Sequence, residues 1–117
     1  MNGISEIREV NIKYDNPTVS DAIKRVTYHI HDGKRYKLKA VKFIHGYGST
    51  GKGGKIREKT REYLQVQKER GVIADWIPGD NFTIFNQSVL KAFLKCDELR
   101  RDSDLERHNN GVTFVIF

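Results

Sequence analysis

Residues 40–64, AVKFIHGYGSTGKGGKIREKTREYL, constrain the fold more than any other stretch of the chain. A short apolar run (Val41, Phe43, Ile44) ends at His45, and five glycines follow: Gly46, Gly48, Gly51, Gly53 and Gly54. A basic helical pattern then begins near Lys55. Strand, glycine loop and helix in that order make an anion site. Glycines admit positive φ and let backbone N–H groups approach a ligand, while the helix N-terminus adds partial positive charge. The same arrangement also serves as a plain connector. Here Lys52, Lys55 and Arg57 converge on the loop together with His45, which favours an anion.

The charge distribution points the same way. The chain of 117 residues carries a formal net charge of +6. Residues 34–70 hold twelve Lys/Arg against three Glu, whereas the segments on either side are slightly acidic. A basic block between near-neutral flanks suits a polyanionic partner, nucleic acid before membrane. Nothing in the sequence has the length or patterning of a membrane-seeking segment. With 38% hydrophobic residues the chain is expected to fold as one α/β domain over residues 1–117. Cys96, the one cysteine, excludes an intrachain disulfide and a Cys-based metal cluster. Among Phe93, Leu94 and Leu99 it reads as a small buried hydrophobe. The first ten residues, MNGISEIREV, carry neither a basic nor an apolar leader region, so the cytoplasm is the expected location.

Along the chain, ragged alternation predicts a first strand over 8–14, ended by the Asp15-Asn16-Pro17 turn. Thr18-Val-Ser-Asp21 has the form of a capping box for a helix over 18–32, with Val19, Ala22, Ile23, Val26 and Ile30 in its stripe and Asp32-Gly33 at its end. The second strand, 40–45, is almost continuously apolar and suits a central position. A second helix over 54–70 places Ile56, Thr60, Tyr63, Leu64 and Gln67 on one face and ends at Gly71. A third strand is expected at 72–77, a helix capped by Asn86, a polar loop at 100–110 and a last strand at 112–117. The order β-α-β-α-β-(α)-β describes a two-layer sandwich with a four-stranded mixed sheet.

Residues 46–53 fit the pattern GxxxxGK[ST] of a nucleotide-binding P-loop up to its last position, where Gly53 replaces the hydroxyl that holds Mg²⁺, so a P-loop-like nucleotide binder is one alternative; Asp75 is the one candidate for the acidic partner. A broader match lies elsewhere. HGYG (residues 45–48) at a strand end before a basic helix resembles the second motif of the Smr (small MutS-related) domain, strand–HGxG–helix. IKYDNPTVSDA (residues 12–22) aligns without gaps to that family's opening LDLHGLTVEEA, and NGVTFVIF (residues 110–117) resembles its closing GVTVV strand. Two insertions separate these matches, STGKG in the glycine loop and about residues 80–108. The resemblance implies a nucleic-acid-binding domain, with nuclease activity in some members. The family's opening Asp and His fall here on Lys13 and Asp15, so binding carries over more safely than cleavage.

The residues expected to contact nucleic acid are Gly46, Tyr47, Gly48, Lys52, Gly54, Lys55, Arg57 and Arg61. For cleavage the candidates are His45 as general base, with its imidazole facing the anion site, Asp15 orienting the ring, and Lys13 stabilising phosphoryl charge. The bland alternative has His45 bonding the loop and Asp15 ending a turn. No metal or cofactor is called for, since no close set of His/Asp/Glu ligands is apparent. Tyr47, in an exposed loop, is a candidate for stacking on bases; Trp76 is a second, although its place near a strand end suits the core better. His29, His31 and His108 read as surface groups.

Overall fold

The computed structural model describes residues 5–47 and 52–117, with Lys52 and Gly53 described by backbone only. The elements in chain order are β1 (Ile7–Asn11), α1 (Val19–Arg35), β2 (Ala40–Ile44), α2 (Lys52–Glu69), β3 (Asp75–Pro78), α3 (Gln87–Lys95) and β4 (Val112–Ile116). Short 3-10 turns occupy Gly79–Asn81 and Asp97–Arg101. The sheet has the order β1-β2-β4-β3, with β1 parallel to β2 and β4 antiparallel to both of its neighbours. It is the mixed four-stranded sheet that the sequence predicts.

Local chemistry fixes most of the boundaries. Thr18 Oγ1 accepts the Asp21 N–H at 3.0 Å and starts α1, satisfying a donor that the helix itself leaves orphaned. At the other end of α2, Gly71 takes φ +76°. Its N–H bonds the Lys68 carbonyl, and that of Val72 bonds the Gln67 carbonyl, which is a Schellman closure. Because Val72 is spent on this cap, β3 begins only at Asp75 rather than at 72. Similarly, β1 stops at Asn11 because Asn11 Oδ1 accepts the Lys13 N–H at 2.9 Å. Asp15 and Asn16 then adopt positive φ.

A further expected boundary is shifted. α1 does not end at Asp32-Gly33 but continues to Arg35. Gly33 is there for space: a Cβ at this position would lie 2.9 Å from the Phe117 ring. Asp32 is occupied by an ion pair with Arg8.

Alternation along the central strands sends side chains to both faces. Val41, Phe43, Val10, Ile12 and Val115 meet Ala22, Val26, Ile30, Ile56 and Leu64 of α1 and α2. Ala40, Val112, Phe114 and Ile116 face the other way. There residues 79–111 close over them with Phe82, Val89, Ala92, Phe93, Cys96 and Leu99. The stretch that reads as an insertion thus covers the second face of the sheet. Its anchor is Phe82, whose ring centroid lies 4.2 Å from that of Phe114, and burial of such rings is a large apolar contribution.

Gly79 holds this cover against β4. A Cβ on Gly79 would sit 2.1 Å from the Asn109 carbonyl oxygen and 2.9 Å from that of Val112. Both are backbone atoms and cannot swing aside. Gly79→Ala is therefore expected to lower the unfolding free energy by about 1–3 kcal/mol, the usual cost of overpacking an interior. A urea titration checks it, and an unchanged midpoint would contradict the close approach.

Candidate nucleic-acid interface

His45 follows the last residue of β2 and is fully buried. Its position continues the alternation of Val41 and Phe43, so the ring turns inward beneath α2. Nδ1 lies 2.7 Å from the Gly46 carbonyl oxygen, and Nε2 lies 2.7 Å from Thr113 Oγ1. A carbonyl can only accept, so Nδ1 carries the proton and Nε2 accepts from the threonine hydroxyl. Thr113 Oγ1 in turn accepts from Arg61 Nε at 3.0 Å. Arg61 reaches on to Asp80 at 3.0 Å and to the Val112 carbonyl at 3.2 Å. One chain of hydrogen bonds therefore runs from Asp80 through Arg61, Thr113 and His45 to the start of the glycine loop.

Burial drives the pKa of His45 down to about 4, against the opposing bond to the Gly46 carbonyl; the Arg61 and Arg57 charges push it the same way as burial. The imidazole is neutral at physiological pH and both its nitrogens are occupied. The expectation that it faces an anion site is not met: the alternating pleat points it into the interior. Asp15 lies exposed in the turn after β1, at φ +62°. It does not orient the His45 ring, since Gly46 and Thr113 hold both nitrogens.

Of the other expected residues, Gly46, Tyr47 and Lys13 meet at the start of the loop, and Arg57 reaches it. Gly46 takes φ +77°, which excludes most side chains. The Lys13 stem passes over it, with Cδ 3.5 Å and Nζ 3.9 Å from where a Cβ would be. The N–H groups of His45 and Gly46 both bond the Gly111 carbonyl at 3.0 Å, clamping the loop start to β4. Tyr47 is 59% exposed, and its carbonyl accepts from Arg57 Nη1 at 3.1 Å. Gly54 is half-buried and Lys55 exposed in the opening turns of α2. No acidic residue occupies the first turn of this helix, so none there offsets its N-terminal partial charge. Arg61 is committed largely to the internal chain just described. Gly48 and the neighbouring residues 49–51, together with the Lys52 side chain, lie outside the described residues.

The basic block is not one surface. Lys34, Arg35, Lys37 and Lys39 precede β2 and lie at the opposite end of it from His45, on the order of 17 Å away for a five-residue strand. Lys42 points into the second face and is buried. Lys68 pairs with Asp75 at 3.0 Å. Asp75 itself is level with Ala40 across β4, at the end of the sheet away from the loop. That separation removes it as an acidic partner for a phosphate-binding loop. Among the histidines read as surface groups, His31 and His108 are exposed but His29 is half-buried. Thr113 escaped the sequence reading; its signal was a lone hydroxyl in the apolar run VTFVIF, in phase with Val115 on the helix-covered face. Among the described residues there is no group of three or more His, Cys, Asp or Glu placed to hold a metal ion, and no helix long and apolar enough to cross a membrane.

No protein-family model matches the sequence, and no curated protein does. The fold does have a counterpart among solved structures. The crystal structure of the Smr domain of Thermus thermophilus MutS2 superposes with a TM-score of 0.57, covering 93% of this chain and 95% of that one, at 18% sequence identity. The chain thus has an Smr-like α/β fold.

Proposed function

We propose that this domain binds nucleic acid, gripping the phosphate backbone with the loop after β2 and the first turns of α2. The observation that carries the reading is the convergence of Lys13 and Arg57 on Gly46 and Tyr47, beside a helix whose first turn carries Lys55 and no acidic residue. The Smr-like fold, with HGYG at its family-like place after the second strand, supports it. Contacts of this kind set affinity and register and carry little sequence information.

Turnover is not part of this reading. A general base must reach the proton it removes and present a free lone pair. His45 does neither, being buried with Nε2 already accepting from Thr113. In this reading it is a strut that fixes the loop onto β4. The test is binding of labelled RNA and DNA across a salt series. Log affinity is expected to fall by about 0.7–0.9 per unit of log salt for each phosphate contacted. Lys13→Ala and Lys55→Ala are each expected to flatten that slope by roughly one contact. Affinity indifferent to salt would overturn the backbone-contact reading. Loss of intact RNA or DNA on incubation in EDTA or Mg²⁺, abolished by His45→Ala, would restore the nuclease reading.

A further inference from the structure

A groove of about 550 Å³ runs along the solvent side of α2, lined by Arg57, Glu58, Arg61, Glu62, Gln65 and Trp76. It adjoins the start of the loop after β2, because Arg57 both lines it and donates to the Tyr47 carbonyl at 3.1 Å. Trp76 forms its far wall. The indole packs partly against the core beneath α1 and α2, and its Nε1–H donates to Gln65 Oε1 at 2.9 Å. The ring is therefore fixed in place with its one polar group satisfied. What it has left to offer a ligand is a π surface.

The charges in the groove differ from those at the loop. Glu62 pairs with Lys59 at 3.4 Å, while Glu58 has no partner among the described residues. Arg61 is held by Asp80 and Thr113. Arg57 and Arg61 are offset here by two carboxylates, Glu58 and Glu62, which leave the groove without the net positive charge that holds a strand backbone. They do match the exocyclic amine of a base, as carboxylates that accept from cytosine N4 do in other complexes. A π surface beside an unpaired carboxylate, next to a cationic loop, fits a base whose phosphate is held outside. In a duplex the faces of the ring are already covered by the neighbouring bases, so a base that stacks here has to leave the duplex stack.

We infer that this groove takes one unpaired, amine-bearing nucleobase, stacked on Trp76 with its amine donated to Glu58, while the loop after β2 holds the adjoining phosphate. The substrate class is then single-stranded nucleic acid or an unpaired junction. This rests on the nucleic-acid-binding reading above and narrows it.

Trp76 is the chain's only tryptophan, so its emission reports on the groove alone. Oligo-C, oligo-U and a blunt duplex of equal length are titrated while binding is followed separately by anisotropy of a labelled strand. Oligo-C is expected to quench Trp76 and the duplex to leave it unchanged. Oligo-U should bind more weakly than oligo-C, because its edge sets two carbonyl oxygens beside a single N–H. Trp76→Leu is expected to weaken oligo-C binding by about 5- to 150-fold, the range for loss of one base stack, with duplex binding unaltered. Trp76→Phe should retain most of the affinity, which separates stacking from a folding defect. Glu58→Ala, on an exposed helix position, should narrow the C-over-U preference. If oligonucleotides bind with no change in Trp76 emission and Trp76→Leu binds as well as wild type, the groove assignment falls while the phosphate reading stands. Quenching with equal affinity for oligo-C and oligo-U overturns the amine contact. If no nucleic acid binds at any salt, both readings fall together.

Discussion

The free energy of unfolding is expected to fall by about 3 kcal/mol between pH 7 and pH 4, chiefly through His45. Its folded-state pKa, about 4, lies below the value of 6.5 for a free imidazole. Between those two pH values the unfolded chain binds the proton and the folded chain does not. Stability therefore rises with pH across this window and is lost as pH falls from 6.5 towards 4. Each unit of separation corresponds to about 1.36 kcal/mol. The structural reason is plain. A proton on Nε2 would put a buried positive charge beside the Arg61 and Arg57 guanidiniums and force the Thr113 hydroxyl to turn from donor to acceptor, with Asp80 as the opposing charge. His29, also lowered by its burial, adds to the slope in the same direction. Urea titrations at pH 4, 5, 6 and 7 measure the total, and the difference between wild type and His45→Gln isolates the buried ring. A wild-type stability constant to within 1 kcal/mol over that range would refute the inward-facing neutral imidazole.

Lys42→Met is expected to cost about 3–5 kcal/mol at pH 7, the usual consequence of removing one partner of a buried ion pair. Lys42 sits on the central strand with only 3% of its surface exposed. Its Nζ lies 2.9 Å from Asp102 and 2.6 Å from Asp104. Burial works to lower the Lys42 pKa, but the bonds to Asp104 and Asp102 outweigh it and raise it. For Asp104 burial works upward, and the bonds to Lys42 and Asn109 prevail and lower it. The cluster therefore stabilises the fold between the ordinary carboxylate and lysine ranges. It is lost as pH falls through the Asp104 value and as pH rises through that of Lys42. Methionine keeps the stem and deletes the ammonium, leaving two partly buried carboxylates unpaired. The deficit should shrink as pH drops and those carboxylates protonate. Combining Lys42→Met with Asp104→Asn should cost less than the two changes summed. A deficit below 1 kcal/mol at pH 7 would show that the cluster contributes no more than a surface pair.

Local sequence determined the elements and their order. Thr18 caps α1, Asn86 accepts from Ser88 to cap α3, and Gly71 closes α2. Apolar stripes at helical spacing became the buried faces of α1 and α2. Such features are legible because capping, left-handed glycine and amphipathic periodicity act over four or five residues. The motif order was enough to indicate the Smr-like fold, which rests on the same succession of elements. Tertiary structure decided what those elements present to one another. β4, last in sequence, inserts between β2 and β3, and this non-local pairing sets Thr113 against His45 and carries Arg61 into the same chain of bonds. Strand direction divides a basic block that is continuous in sequence between opposite ends of the sheet. The fold of residues 79–111 over the second face turns Lys42 from a surface charge into a buried one. Side-chain direction in a strand alternates residue by residue, so charge and composition alone leave open which groups meet a ligand and which meet the core until the partner strands are in place.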